Sequence, residues 1–247
     1  MDDFTRAGFL AHSLLPVYKR HIEQARGYIT EALSQCDNPY IAFSGGKDSA
    51  AMLHLIAEQI PTVDAQILTG GESRLLHSDL DEILQWWRRE TSINLIEVFV
   101  DRVFSTEWSS ATFEEMYLQF QDEWNKYLHD KGHDAVFIGL RRKEASHRDL
   151  VFRRFGAIHR YSEKRKDSRA GTLLVLPVSN LTAVDVWAYL VSNEIPTFDA
   201  YESSNRTKTR LGKTAMGYGQ LAELRMRDPA AFNAIVARFP ELRRFGG

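Results

Sequence analysis

Cys36 is the only cysteine in the 247 residues. A single thiol excludes an intrachain disulfide, a four-cysteine iron–sulfur cluster and a cysteine-based zinc site. Long apolar runs are missing too, since none approaches the roughly 18 residues that a membrane span needs. The amino terminus Met1-Asp2-Asp3-Phe4 is acidic and lacks the basic-then-apolar pattern of a secretory signal, so a cytoplasmic protein with no membrane attachment is expected. Internal repeats and low-complexity segments are absent. What remains is the composition of an ordinary folded protein, 44% hydrophobic and 26% charged. A chain this long buries roughly 70–75% of its unfolded surface, enough for one large domain or a core with an appendage.

The net charge is only −2, but it is unevenly placed. Residues 141–169 hold eleven Lys/Arg against four Asp/Glu, and residues 203–227 hold six against one. Two such basic stretches point to an anionic ligand, DNA or another polyanion, or else to solvated helix faces.

Val17, Ile22, Ala25, Ile29 and Leu33 recur at spacings of three to five, which predicts a helix over 16–33. Asp37-Asn38-Pro39 ends it. Tyr40-Ile41-Ala42-Phe43 then reads as a buried parallel strand running into a glycine pair, and helical periodicity resumes over 48–59. Further strands are predicted at 63–68, 95–100, 135–138 and 173–176. Helical patterns cover 77–90, 113–130, a basic stretch from about 143, and 220–226 and 229–237 near the end. Thr182 followed by Asp185 reads as the start of another helix, with a capping side chain and an acid at its positive end. Strands alternating with helices predict an α/β fold, a mostly parallel five-stranded sheet with helices on both faces and a small helical C-terminal appendage. The expected organisation is a helical segment over 1–37, an α/β core over 38–200, and a basic loop with terminal helices over 201–247.

The loop Ser44-Gly45-Gly46-Lys47-Asp48-Ser49 stands between the first strand and the next helix. Two glycines there let backbone N–H groups approach a phosphate closely, and the following helix presents its positive end to the same anion. Ser44, Lys47 and Ser49 add two hydroxyls and an ammonium. The spacing is not that of a Walker loop, because four residues do not separate a glycine from Gly-Lys-Ser/Thr.

This hexapeptide resembles the pyrophosphate-loop signature of the adenine-nucleotide α-hydrolase-like superfamily, the PP-loop proteins. Within it the chain is similar to the branch of phosphoadenosine phosphosulfate (PAPS) reductases and ATP sulfurylase small subunits. Ile138-Gly139-Leu140-Arg141-Arg142-Lys143-Glu144 is similar to the branch's Gly-Leu/Ala-Arg-Arg-x-Glu segment, and 176–189 to its Pro-x-x-x-Trp-Thr-x-x-Asp-Val-Trp segment, with Leu181 where the tryptophan usually stands. The resemblance spans 38–200. It implies ATP as the nucleotide, with Mg2+, and binding residues Ser44, Gly45, Gly46, Lys47, Asp48 and Ser49. Thr69 and Gly70, at the end of the second strand, would meet the adenosine. Gly139 would let the nucleotide lie against the backbone, and Arg141 and Arg142 would offer a guanidinium fork to phosphate. Asp48 would cap the helix, orient the loop or reach the metal shell. Trp187 and Tyr189 read as packing residues. None of the eight histidines has a metal-ligand partner at helical spacing in a recognisable motif, and His54 is expected to pack or hydrogen-bond on the helix after the loop.

The superfamily chemistry implied is cleavage of ATP between its α- and β-phosphates, usually to adenylylate an acceptor. Lys47 and Ser49 are the candidate catalytic residues, neutralising the departing pyrophosphate. Sulfonucleotide reduction needs a thiol nucleophile, which the branch's reductases carry near the C-terminus, and no cysteine follows Cys36 here. Three alternatives stay open: an ATP pyrophosphatase or adenylyltransferase serving sulfur metabolism or DNA phosphorothioation, a nucleotide-binding subunit that needs a protein partner, and a nucleic-acid-binding module. Residues 201–218 read as a mobile or ligand-ordered loop. Within it Arg206, Lys208, Arg210 and Lys213 would set specificity as a nucleotide lid, an oxyanion site or a contact to a polynucleotide.

Overall fold

The computed structural model describes residues 1–60, 63–69, 78–99, 130–144, 146–164, 170–198, 201, 224–226, 228–238, 240 and 243. Gly70, the helix expected over 113–130 except its last residue, and the basic loop after Tyr201 lie outside the described residues.

Helices α1 (Asp3–Ser13) and α2 (Pro16–Leu33) lead into β1 (Pro39–Phe43), α3 (Lys47–Ala57) and β2 (Asp64–Thr69). Next come α4 (Leu80–Glu90), β3 (Asn94–Phe99) and β4 (Ala135–Ile138). A 3-10 turn (Arg142–Glu144) and α5 (Ser146–Phe155) precede the hairpin of β5 (Ile158–Arg160) and β6 (Leu173–Val175). Helices α6 (Ala183–Ser192) and α7 (Pro229–Arg238) follow.

The sheet runs β3-β2-β1-β4-β6-β5, parallel throughout except for β5. It has six strands and not the expected five. The additional one is Ile158-His159-Arg160, which pairs antiparallel with β6, Ile158 opposite Val175 and Arg160 opposite Leu173. An edge strand of three partly exposed residues carries no continuous apolar run, so periodicity gives it no signal. The basic helix expected from about 143 likewise begins three residues late, after the 3-10 turn.

Alternation along the strands builds two faces. Ile41, Phe43, Ala135, Phe137, Leu173 and Val175 enter a large core with α2, α3, α4 and α6. Their sequence neighbours Tyr40, Val136 and Leu174 form a smaller cluster. Strand order reverses between β1 and β4. Parallel strands on either side of such a reversal leave a crevice at their carboxyl ends, and both the glycine loop after β1 and Gly139 after β4 open into it.

Helix α1 has no buried residue of its own, which hid it from the apolar pattern. Its Phe9 ring stacks on Trp187 of α6 at 6.0 Å. The cap expected at Thr182 is a full capping box: Thr182 Oγ accepts the Asp185 N–H at 3.1 Å and the Asp185 carboxylate accepts the Thr182 N–H at 2.8 Å. The same buried carboxylate meets His12 Nε2 at 2.8 Å and His21 Nδ1 at 3.0 Å, tying α1 and α2 to α6. Burial pushes the Asp185 pKa up, but the bonds from His12, Thr182 and His21 outweigh it and hold the carboxyl below its ordinary 3.8. The stability it adds is therefore fully present above that ordinary value and lost as pH falls through the depressed one. Asp185→Ala removes the cap and strands two imidazoles, and should cost about 2–3 kcal/mol in denaturant titration at neutral pH. The deficit should shrink in acid.

Candidate functional site

The loop after β1 is held in shape by its own hydroxyls. Ser44 N–H donates to Ser49 Oγ at 3.2 Å, the two hydroxyls lie 3.0 Å apart, and Ser49 Oγ donates to the Gly46 carbonyl at 2.9 Å. Gly45 has φ +71°, and a β-carbon there would stand 2.5 Å from Cζ of the buried Phe198. Both the backbone twist and the ring demand glycine. Gly46 is the N-cap of α3 and makes no side-chain cap, so no capping side chain occupies the amino end of the helix, where only the Lys47 amide is engaged, by the Tyr201 hydroxyl, among the bonds described.

Lys47 is only 3% exposed. Its Nζ lies 3.0 Å from Asp48 Oδ2 and 5.8 Å from the centre of the Tyr201 ring, while its backbone N–H donates to the Tyr201 hydroxyl at 3.3 Å. Tyr201 is buried edge-on against Trp187 at 5.4 Å. Burial pushes its phenol pKa well up, which keeps it a neutral hydroxyl under the loop. Tyr201 is therefore a core residue and not the first residue of a mobile loop. Sequence reasoning missed both Phe198 and Tyr201; two aromatics shortly after α6 were the available signal.

Gly139 closes the other wall. A β-carbon on it would lie 2.7 Å from Ser49 Cα and 2.8 Å from Ser49 N, so glycine is demanded by the backbone of α3. That contact supplies a reason for the glycine independent of any nucleotide. The two arginines that follow diverge. Arg141 Nε donates to Asp48 Oδ1 at 2.7 Å and its Nη2 to Glu144 Oε1 at 2.8 Å. Arg142 turns toward α5, 3.6 Å from Asp149 and 5.2 Å over the Phe152 ring. Thr69 ends β2 in register with Phe99, at the carboxyl edge beside the loop. Trp187 and Tyr189 are buried packing residues, and the Tyr189 hydroxyl meets His54 Nδ1 at 2.8 Å. Burial lowers the His54 pKa, favouring the neutral ring.

Cys36 lies before β1, at the end of the sheet opposite the loop, and is half-buried. Burial, with Asp134 and Asp37 nearby, pushes its thiol up to about 11. A thiol that stays protonated is a poor nucleophile. Cys36→Ser should leave nucleotide affinity unchanged in a direct binding titration.

Fold and loop together define a PP-loop α/β protein. The family model of the phosphoadenosine phosphosulfate reductase domain matches residues 38–214, and the chain belongs to that family. Sulfate adenylyltransferase subunit 2 of Marinomonas sp. (strain MWYL1) is 28% identical over 199 residues, covering 72% of this chain and 65% of that protein. The protein of the same name from Ectopseudomonas mendocina (strain ymp) is 28% identical over 207 residues, 75% of this chain and 67% of that one. This chain thus spans about two thirds of the length of these relatives. The crystal structure of PAPS reductase from Candida auris in a phosphate complex superposes with a TM-score of 0.54 at 17% identity, covering 72% of this chain and 84% of that one. At that identity the likeness concerns the fold.

Proposed function

We propose that the chain binds ATP with its pyrophosphate end in the loop 44–49 and cleaves it between the α- and β-phosphates, transferring the adenylyl group to an acceptor in sulfur metabolism. The carrying observation is the coincidence of three features at the β1/β4 crevice: the amino end of α3, the buried Lys47 and a loop already fixed by Ser44 and Ser49. Donors fixed in advance stabilise charge that builds up on a leaving group without reorganising. Lys47 would neutralise the departing pyrophosphate. Ser49 would hold the loop's shape and offer its hydroxyl from within it. Thr69 and Gly70 would receive the adenosine side at the neighbouring strand end. Among the described residues no group of three or more His, Cys, Asp or Glu is placed to hold a metal ion. Magnesium would accompany the triphosphate, as part of the substrate.

The relatives' name, a subunit of sulfate adenylyltransferase, supports a second reading in which turnover requires a partner protein. Reduction of a sulfonucleotide is disfavoured by the position and protonation of the single thiol. A polyanion role for 141–169, including DNA contact, is weakened by the pairing of Arg141, Arg142, Arg148 and Arg153 with Asp48, Glu144 and Asp149.

The test is a pyrophosphate-release assay with MgATP across candidate acceptors, sulfate and DNA among them, with and without added partner protein. Pyrophosphate appearing with one acceptor supports cleavage at the α-phosphate. ATP binding with turnover only after partner addition selects the subunit reading. Release of inorganic phosphate alone would sink both.

A further inference from the structure

Asp48 sits between two cations. One carboxylate oxygen meets Lys47 Nζ at 3.0 Å and the other meets Arg141 Nε at 2.7 Å. All three side chains are largely withdrawn from water, with Arg141 7% exposed. The far side of the same guanidinium donates to Glu144, which is itself paired with Arg148 on α5. For a phosphate to grip Arg141, it would have to displace a carboxylate from a buried guanidinium that already serves two. Such a displacement leaves an unpaired buried charge and is costly.

Lys47 stands differently. If Asp48 had Lys47 as its only partner, the carboxylate would neutralise the ammonium and hold it away from an incoming phosphate. With Arg141 on its other oxygen, the trio carries one net positive charge and Asp48 is only half committed to the lysine. Gly139 makes this arrangement reachable, because the missing β-carbon lets the end of β4 approach the backbone of Asp48 and Ser49.

We propose that Arg141 is a positioning residue that acts on the phosphate-binding lysine through Asp48 and does not itself touch phosphate. The inference rests on the nucleotide reading of the loop. It separates Arg141 from the guanidinium fork that the sequence suggested, and it names a route by which α5, through Arg148 and Glu144, bears on the loop.

The experiment is a thermodynamic cycle read by calorimetric binding of MgATP, with inorganic pyrophosphate as a second probe. The chains compared are wild type, Arg141→Met, Asp48→Asn and the double variant, each checked for folding by circular dichroism. Arg141→Met should weaken binding by about tenfold or more, because Asp48 then clamps Lys47 alone. In the Asp48→Asn background the same substitution should cost less than about threefold, because the group it acts through is gone. An equal loss in both backgrounds overturns the proposal and makes Arg141 a phosphate ligand. No loss in the native background overturns it as well. Should Arg141→Met fail to fold, Arg141→Gln takes its place in both backgrounds, with the same expected losses and the same overturning results. If wild type ignores MgATP but holds pyrophosphate, the ATP reading fails while the cycle is still read with pyrophosphate. If it holds neither, both fall.

Discussion

Gly139→Val should lower stability by about 3 kcal/mol or more, roughly 6–12 °C in melting temperature, and abolish nucleotide binding together with it. The new β-carbon would sit 2.7 Å from Ser49 Cα, 2.8 Å from Ser49 N and 3.0 Å from the Asp48 carbonyl carbon. All three atoms are backbone, so no rotamer change relieves the overlap. Either the end of β4 or the first turn of α3 must retreat. Helix α3 is anchored by Ala50, Ala51, Met52 and Leu53, all buried, and β4 is hydrogen-bonded on both sides. Displacing the first turn also moves the amides and Lys47 that form the cradle. Gly27→Ala is the control: nothing lies within 4 Å of its would-be β-carbon, and in the interior of α2 alanine should be neutral or stabilising by about 0.5–1 kcal/mol. A Gly139→Val protein that melts and binds like wild type would remove the close packing of β4 on α3 from any account of this site.

What could be read locally was readable in the sequence. Helix α2 and strand β4 appear with the predicted bounds, because each carries its own periodicity or apolar run. The Thr182 and Asp185 pair announced a helix start because a capping box spans only four consecutive residues. The hexapeptide loop announced itself through glycines that a strand-to-helix turn needs. Long-range partnerships left no such trace. Asp185 meets histidines more than 160 residues away, His21 on α2 and His12 on α1, the helix whose lack of buried residues silenced the apolar pattern. Phe198 and Tyr201 reach the loop across some 150 positions, and the polar stretch that follows them masked their burial. Arg141 was visible as a cation beside a glycine. That it reaches Asp48 depends on a crossover that brings β4 against β1.

Lys47→Ala separates catalysis from folding at this site more cleanly than any glycine change can. Pyrophosphate release should fall by about a hundredfold to a thousandfold, the range expected when one fixed donor to a developing anion is removed. Stability should change by less than about 2 kcal/mol, although the side chain is buried, because Asp48 keeps Arg141 at 2.7 Å and no carboxylate is orphaned. The lost contacts are the ammonium's ion pair with Asp48 at 3.0 Å and its approach to the Tyr201 ring at 5.8 Å, and the backbone N–H to the Tyr201 hydroxyl survives the substitution. Lys47→Arg should not rescue activity, since a planar guanidinium is longer than the ammonium and cannot enter a space bounded by Tyr201 and Asp48 without displacing one of them. Melting curves for the variants, set beside initial rates with MgATP and the acceptor that supports turnover, give both quantities. If Lys47→Ala turned over within about threefold of wild type, the ammonium would not be facing the charge that builds on pyrophosphate. The loop would then be a structural turn, and the anion would have to be sought elsewhere along the β1/β4 crevice.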